Sequence, residues 1–127
     1  MSYESIKERL RELKNEDFIW VIYIGIIFLS WFSNSLERSY FKTFNTEYRD
    51  KYRSIIILIF SILIVVYFYF FKESLKDLKN LKQNDSDQKK ILVFLSFLGS
   101  LFILLSGIIF LYIAIKDENL EVELAFN

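Results

Sequence analysis

Six small residues form the one constellation in this chain with a definite physical consequence: Ser96, Gly99, Ser100, Ser106, Gly107 and Ala114. At about 100° per helical residue, taking Ser96 as zero, they fall at roughly 0°, 300°, 40°, 280°, 20° and 0°. All six lie within an arc of about 120° on a helix otherwise built almost wholly of Leu, Ile, Val and Phe. Small side chains let a second backbone come close, and Ser hydroxyls hydrogen-bond between helices. Three readings follow: packing against another helix of the same chain, self-association around a symmetry axis, or a water-filled pore lined by the serines. A pore ordinarily needs charged rings or polar groups that replace hydration. No charge falls near the middle of this stretch.

The chemistry of catalysis has no residues to stand on. The chain has no His and no Cys. General acid–base work, nucleophilic attack and metal binding need those residues or positioned carboxylates. The carboxylates here sit in charged, helix-like segments where water solvates them. The only glycines are Gly25, Gly99 and Gly107, so no phosphate-cradling loop is expected. No catalytic, cofactor-binding or metal-binding residue is assigned, no small-molecule substrate is expected, and the chain is read as no enzyme. Basic and acidic residues balance at 16 each, without the basic excess of a nucleic-acid binder.

The elements that carry these residues are three apolar blocks, 18–32, 55–71 and 91–115, which contain no charged residue. A hydrocarbon core about 30 Å thick takes about 20 helical residues to cross. The third block, at 25 residues, and the second, at 17, suffice, while the first, at 15, crosses only by recruiting Ser33 to Leu36 or by thinning the bilayer. Continuous apolar runs, rather than alternation with a period of two, make these helices and not barrel strands. No A-x-A site follows the first block, which is therefore read as a retained span. The expected fold is all-α: an integral membrane protein with three transmembrane helices, an amphipathic N-terminal helix and a long span-two helix projecting into the cytoplasm. Its segments are 1–17 (amphipathic helix), 18–36 (span one), 37–53 (interfacial loop or helix), 54–71 (span two), 72–83 (helical extension), 84–90 (turn), 91–115 (span three) and 116–127 (acidic tail). Lys and Arg divide ten to six between the two sides, which predicts a cytoplasmic N-terminus and an external C-terminus.

Outside the blocks two patterns stand out. Tyr3, Ile6, Leu10 and Leu13 fall at the 3-4-3 spacing of a helix seam, with Ser5 and Glu8 at capping-box spacing. This helix either lies on the bilayer surface or pairs with another helix. Leu75, Leu78 and Leu81 continue span two in similar register and are suited to meet Ile6, Leu10 and Leu13 in a cytoplasmic collar. In the first connection Tyr40, Phe44, Tyr48 and Tyr52 recur every four residues, with Phe41 beside the first. They read as rings buried at headgroup level or as a docking strip for an external partner. Asn45 or Thr46 is placed to cap the second helix, and Ser86 or Asp87 the third.

The stretch Trp31-Phe32-Ser33-Asn34-Ser35-Leu36-Glu37-Arg38-Ser39-Tyr40-Phe41, the run Gly107-Ile108-Ile109-Phe110-Leu111-Tyr112 and the acidic end, 119–127, resemble small three-span proteins of low-GC Gram-positive bacteria. The resemblance implies a bacterial plasma-membrane location and no known activity. Three-span holins share the size and span count but usually carry a basic tail, whereas this tail is acidic. The expected partners are the lipid bilayer and either further copies of the chain, as a homo-oligomer, or a larger membrane protein. The expected role is non-enzymatic: self-association or an accessory subunit. A pore-forming or membrane-perturbing effector of lysis or phage defence, and an immunity protein against a membrane-active peptide, are the alternatives.

Overall fold

In the computed structural model, which describes residues 3–124, the chain is all-α. The first two residues of the amphipathic segment and the last three of the acidic tail lie outside the described residues. Three helices follow one another: α1 (Tyr3–Thr43), α2 (Thr46–Lys79) and α3 (Asp87–Lys116). All three are long and apolar enough to cross a membrane.

The N-terminal segment and span one are a single helix. At about 1.5 Å per residue, the 41 residues of α1 extend about 62 Å. Nothing in residues 14–18 breaks it, since the stretch holds no Gly or Pro. Ser5 accordingly lies inside the helix rather than at its start. The connection expected over 37–53 shrinks to Phe44 and Asn45, and the flanking residues belong to α1 and α2. Phe44 takes a left-handed conformation, φ 53°, and its N–H donates to the Tyr40 carbonyl at 2.6 Å. That bond is the αL helix stop, here made by Phe in place of the usual Gly. Asn45 then caps α2, its side chain accepting from the Glu47 N–H at 3.0 Å.

α2 ends at Lys79, so Leu81 lies beyond the helix. Lys72 Nζ sits 5.9 Å over the Phe68 ring, a charge leaning back across the aromatic girdle that ends the apolar block. In the turn that follows, the Asp85 carboxylate accepts the Lys82 N–H at 2.7 Å. That bond, first, and Lys89, second, hold the Asp85 carboxyl below its ordinary value. Ser86 caps α3, accepting from the Lys89 N–H at 3.1 Å.

α2 is the middle helix. It packs antiparallel on α1 and on α3, and among the described residues the backbones of α1 and α3 do not meet. Each packing ridge repeats every seven residues: Ile19, Ile26 and Ser33 on α1, Ile56 and Leu63 on α2, Gly107 and Ala114 on α3. A repeat of 3.5 residues per turn is the pattern of left-handed helix bundles. Ile26, Leu36, Tyr52, Ile56, Ile59, Phe60, Leu63, Ala114 and Leu124 make one core. Ser33 is fully buried among them, its hydroxyl donating to the Ser30 carbonyl at 2.8 Å. The outer faces stay bare: only 11% of the most apolar stretch of α3 is buried. Apolar surface on that scale needs a solvent other than water.

Candidate assembly interface

The small-residue arc of α3 divides in two. Ser100, Gly107 and Ala114, seven residues apart, turn to α2. The Ser100 hydroxyl hydrogen-bonds the Ser74 hydroxyl, and both also lie against their own helix carbonyls, Phe97 and Phe71, at 2.9 Å. A Cβ on Gly107 would stand 3.1 Å from Tyr67 Cδ2, so glycine is what lets the Tyr67 ring lie on the α3 backbone. Ala114 is in the core. Ser96, Gly99 and Ser106 are exposed, and a Cβ on Gly99 would meet nothing within 4 Å. Close packing within the chain thus uses half of the arc.

The sequence pattern did not single out the partners in this interface, Tyr67 and Ser74. The signal that marks them is on α2 itself: Phe60, Tyr67 and Ser74 are spaced by seven, as are Ser100, Gly107 and Ala114 on the facing helix. Phe60 packs tilted at 5.8 Å against Phe110, and Phe71 at 5.5 Å against Phe97, so a large residue on one helix answers a gap or a ring on the other.

The aromatic strip also divides. Tyr52 is buried in the core and Tyr48 packs against it. Tyr40, Phe41 and Phe44 cluster at the α1–α2 corner, Tyr40 5.2 Å from Phe41 and 5.9 Å from Phe44, with both Phe rings exposed. At the same end, residues 117–124 fold back over the helices. The Asp117 carboxylate accepts the Glu121 and Val122 N–H groups at 3.0 and 2.8 Å, and Leu124 buries itself in the core. A cavity of about 230 Å³ remains beneath them, lined by Glu37, Arg53, Asp117, Glu121 and Glu123 among others. Arg53 Nη2 donates to the Ile115 carbonyl at 2.7 Å, tying α2 to the last turn of α3, while its enclosed Nε has no hydrogen-bond partner among the described residues. Among the described residues no three acidic side chains converge as metal ligands would.

The collar at the other end is where placement departs most from pattern. Ile6, Leu10 and Leu13 are exposed, as is Tyr3, and are not buried against Leu75 and Leu78. The α1 face turned to α2 is polar instead. Glu8 pairs with Lys76, Asn15 faces Tyr69, and Glu12 lies near Glu73 and Asp77. Lys76, by its hydrogen bond first and its charge second, holds the Glu8 carboxyl below its ordinary value. Burial, and then Glu12, push the Glu73 and Asp77 carboxyls above theirs. Arg9 turns back along its own helix to Glu12 at 3.2 Å and Glu16 at 3.4 Å.

No family model, curated protein or solved structure matches the chain. The interface must therefore be read from its own geometry.

The phase of α1 explains the reversal. Its packing ridge in the apolar part is Ile19, Ile22, Ile26, Leu29, Ser33 and Leu36, at spacings that alternate three and four. Carried back along an unbroken helix in the same register, that ridge reaches Asn15, Glu12 and Glu8. Ile6, Leu10 and Leu13 lie about 130–190° around the helix from it. They belong to an opposite ridge that runs on through Asp17, Trp20, Ile24 and Ile27 to Trp31. All of that ridge is exposed, Leu10 by 61% and Trp31 by 72%.

Proposed function

We propose that the chain is a non-enzymatic, multi-pass protein of the bacterial plasma membrane that works as an accessory subunit, by assembling with other membrane helices. The observation that carries this reading is the outer ridge of α1. Lipid accommodates Trp20, Ile24, Ile27 and Trp31. Tyr3, Ile6, Leu10 and Leu13 lie in a segment dense with Lys, Arg and Glu, where an exposed apolar seam has no such solvent. Because α1 is one unbroken helix, this seam continues the span out of the bilayer and does not lie on it. A seam of that kind is complete only with another helix against it. The cytoplasm is the side that the ten-to-six division of basic residues favours for it.

Two measurements test the reading together. The first is the mass of the particle extracted from native membranes in mild detergent, for the parent chain and for Leu10→Asp. The expected result is an assembly that falls to a single chain in the variant. The second is membrane potential after induced expression, expected to hold. A parent chain that is already a lone monomer, or a rapid collapse of potential, overturns the accessory role. The collapse would point to a pore-forming effector.

A further inference from the structure

The outer ridge of α1 also says what kind of helix covers it. We propose that its occupant is a helix of a different protein, which crosses the bilayer beside α1 and continues beyond it with an apolar seam edged by Asp and Glu. This inference rests on the accessory-subunit reading and adds the partner's chemistry.

The length of the ridge is the first argument. Tyr3, Ile6, Leu10, Leu13, Asp17, Trp20, Ile24, Ile27 and Trp31 keep the alternating 3-4 spacing without a slip, over four heptads. That is about the length an independent coiled-coil seam needs. Half of it lies in the charged segment and half in the apolar block. A partner that fills it must change solvent at the same level, as a transmembrane helix with an extension does.

Charge is the second argument. Counting Tyr3 and Leu10 as a positions puts Lys7 and Lys14 at e, and Arg9 and Glu16 at g, beside the seam. Among the described residues neither Lys7 nor Lys14 makes an ion pair, whereas Arg9 is already held by Glu12 and Glu16. The edge left open is therefore basic, and acidic residues complement it.

A second copy does not fit. Two copies sharing one topology would pair in parallel, bringing each g residue to the partner's following e residue. Arg9 would then face Lys14 on both sides of the seam. Asp17, at an a position, would face Asp17 of the other copy where the seam enters the apolar block. Like charges at these positions count against a pairing. A foreign helix that offers a Lys, Arg or amide opposite Asp17 removes the conflict.

The test uses the full chain, whose lack of cysteine permits one label through Glu4→Cys. It is reconstituted at low density in phosphatidylcholine vesicles with either of two synthetic helices. Both have a leucine-rich span and an extension with Ile and Leu at the seam positions; one carries Glu at the flanking positions and the other Lys. Energy transfer between labels reports association. We expect the Glu-edged helix to associate about tenfold more tightly than the Lys-edged one. Lys7→Glu combined with Lys14→Glu should reverse that order, and Leu10→Ser should weaken the binding of the Glu-edged helix. Equal association of the two helices, or energy transfer between labelled copies of the chain itself, overturns the partner assignment while leaving assembly intact. Absence of association with either helix, unchanged by Leu10→Ser, overturns the accessory-subunit reading beneath it.

Discussion

Gly107→Ala, set beside Gly99→Ala, isolates the contact on which the α2–α3 pair depends. Both substitutions add one methyl group to the same helix, and both gain whatever alanine gains over glycine in helix propensity, up to about 1 kcal/mol. Their surroundings differ. At Gly107 the new carbon meets Tyr67 Cδ2 at 3.1 Å, Tyr67 Cε2 at 3.3 Å and Ile64 Cγ1 at 3.4 Å. Carbon pairs are most favourable at about 3.5–4.0 Å, so the ring or the helix must move by a few tenths of an ångström. Overpacking of this kind typically costs about 1–3 kcal/mol. At Gly99 nothing lies within 4 Å and no such cost arises. The difference between the two variants, with propensity cancelled, should therefore be about 1–3 kcal/mol in favour of Gly99→Ala. Unfolding in mixed micelles by titration with dodecyl sulfate, followed by circular dichroism, measures it. A Tyr67→Leu background adds a control, because removing the ring should shrink the cost of Gly107→Ala and give a coupling of at least about 0.5 kcal/mol. Equal stabilities for the two alanine variants, or a cost at Gly107 indifferent to Tyr67, would refute the close-approach argument.

Three further outcomes follow from the same geometry. Ser74→Ala removes the hydroxyl that meets Ser100 and should cost about 0.6 kcal/mol, at most about 1.7, as hydrogen bonds between membrane helices do; the same titration checks it. Phe44→Ala should destabilise the corner more than Phe44→Gly, since glycine relieves a left-handed backbone worth about 1–2 kcal/mol, while both variants lose the ring contact with Tyr40. Thermal unfolding of the two side by side settles the order. Acidification should tighten α1 against α2 beside Glu73. The Glu73 and Asp77 carboxyls titrate above their ordinary range in the fold, so the folded state takes up protons first and is strained above those raised values. The strain is relieved as pH falls through them. Glu8, held low by Lys76, keeps its charge through that window and its contribution fades only below it. Amide exchange over residues 3–17, after correction for intrinsic rates, should therefore slow as pH falls through those raised values, and Glu73→Gln should weaken the dependence.

The sequence made the elements legible where chemistry is local. Charge-free blocks mark the apolar parts of all three helices, and the caps at Asn45 and Ser86 stand where short polar side chains precede them. It also marked Gly107 and Ser100 as small-residue contacts, though not their partners, because facing residues on α2 and α3 are set by how the two rods slide past each other. The reading of the collar failed for a different physical reason. Apolar spacing at Ile6, Leu10 and Leu13 identified a ridge correctly but said nothing of where it points. That direction is fixed farther along the rod, by Ile19, Ile26 and Ser33, whose burial sets the rotation of everything continuous with them. A local pattern thus gave the ridge, and remote packing chose its side.

The unbroken course of α1 has a mechanical corollary. A helix of 41 residues with no proline, joined to its neighbour by two residues, is a stiff spar long and apolar enough to cross a membrane. At about 1.5 Å per residue, a tilt of about 5° around its midpoint carries each end sideways by about 3 Å. Whatever grips the spar near Leu10 therefore levers the exposed Phe41 and Phe44 rings at its opposite end.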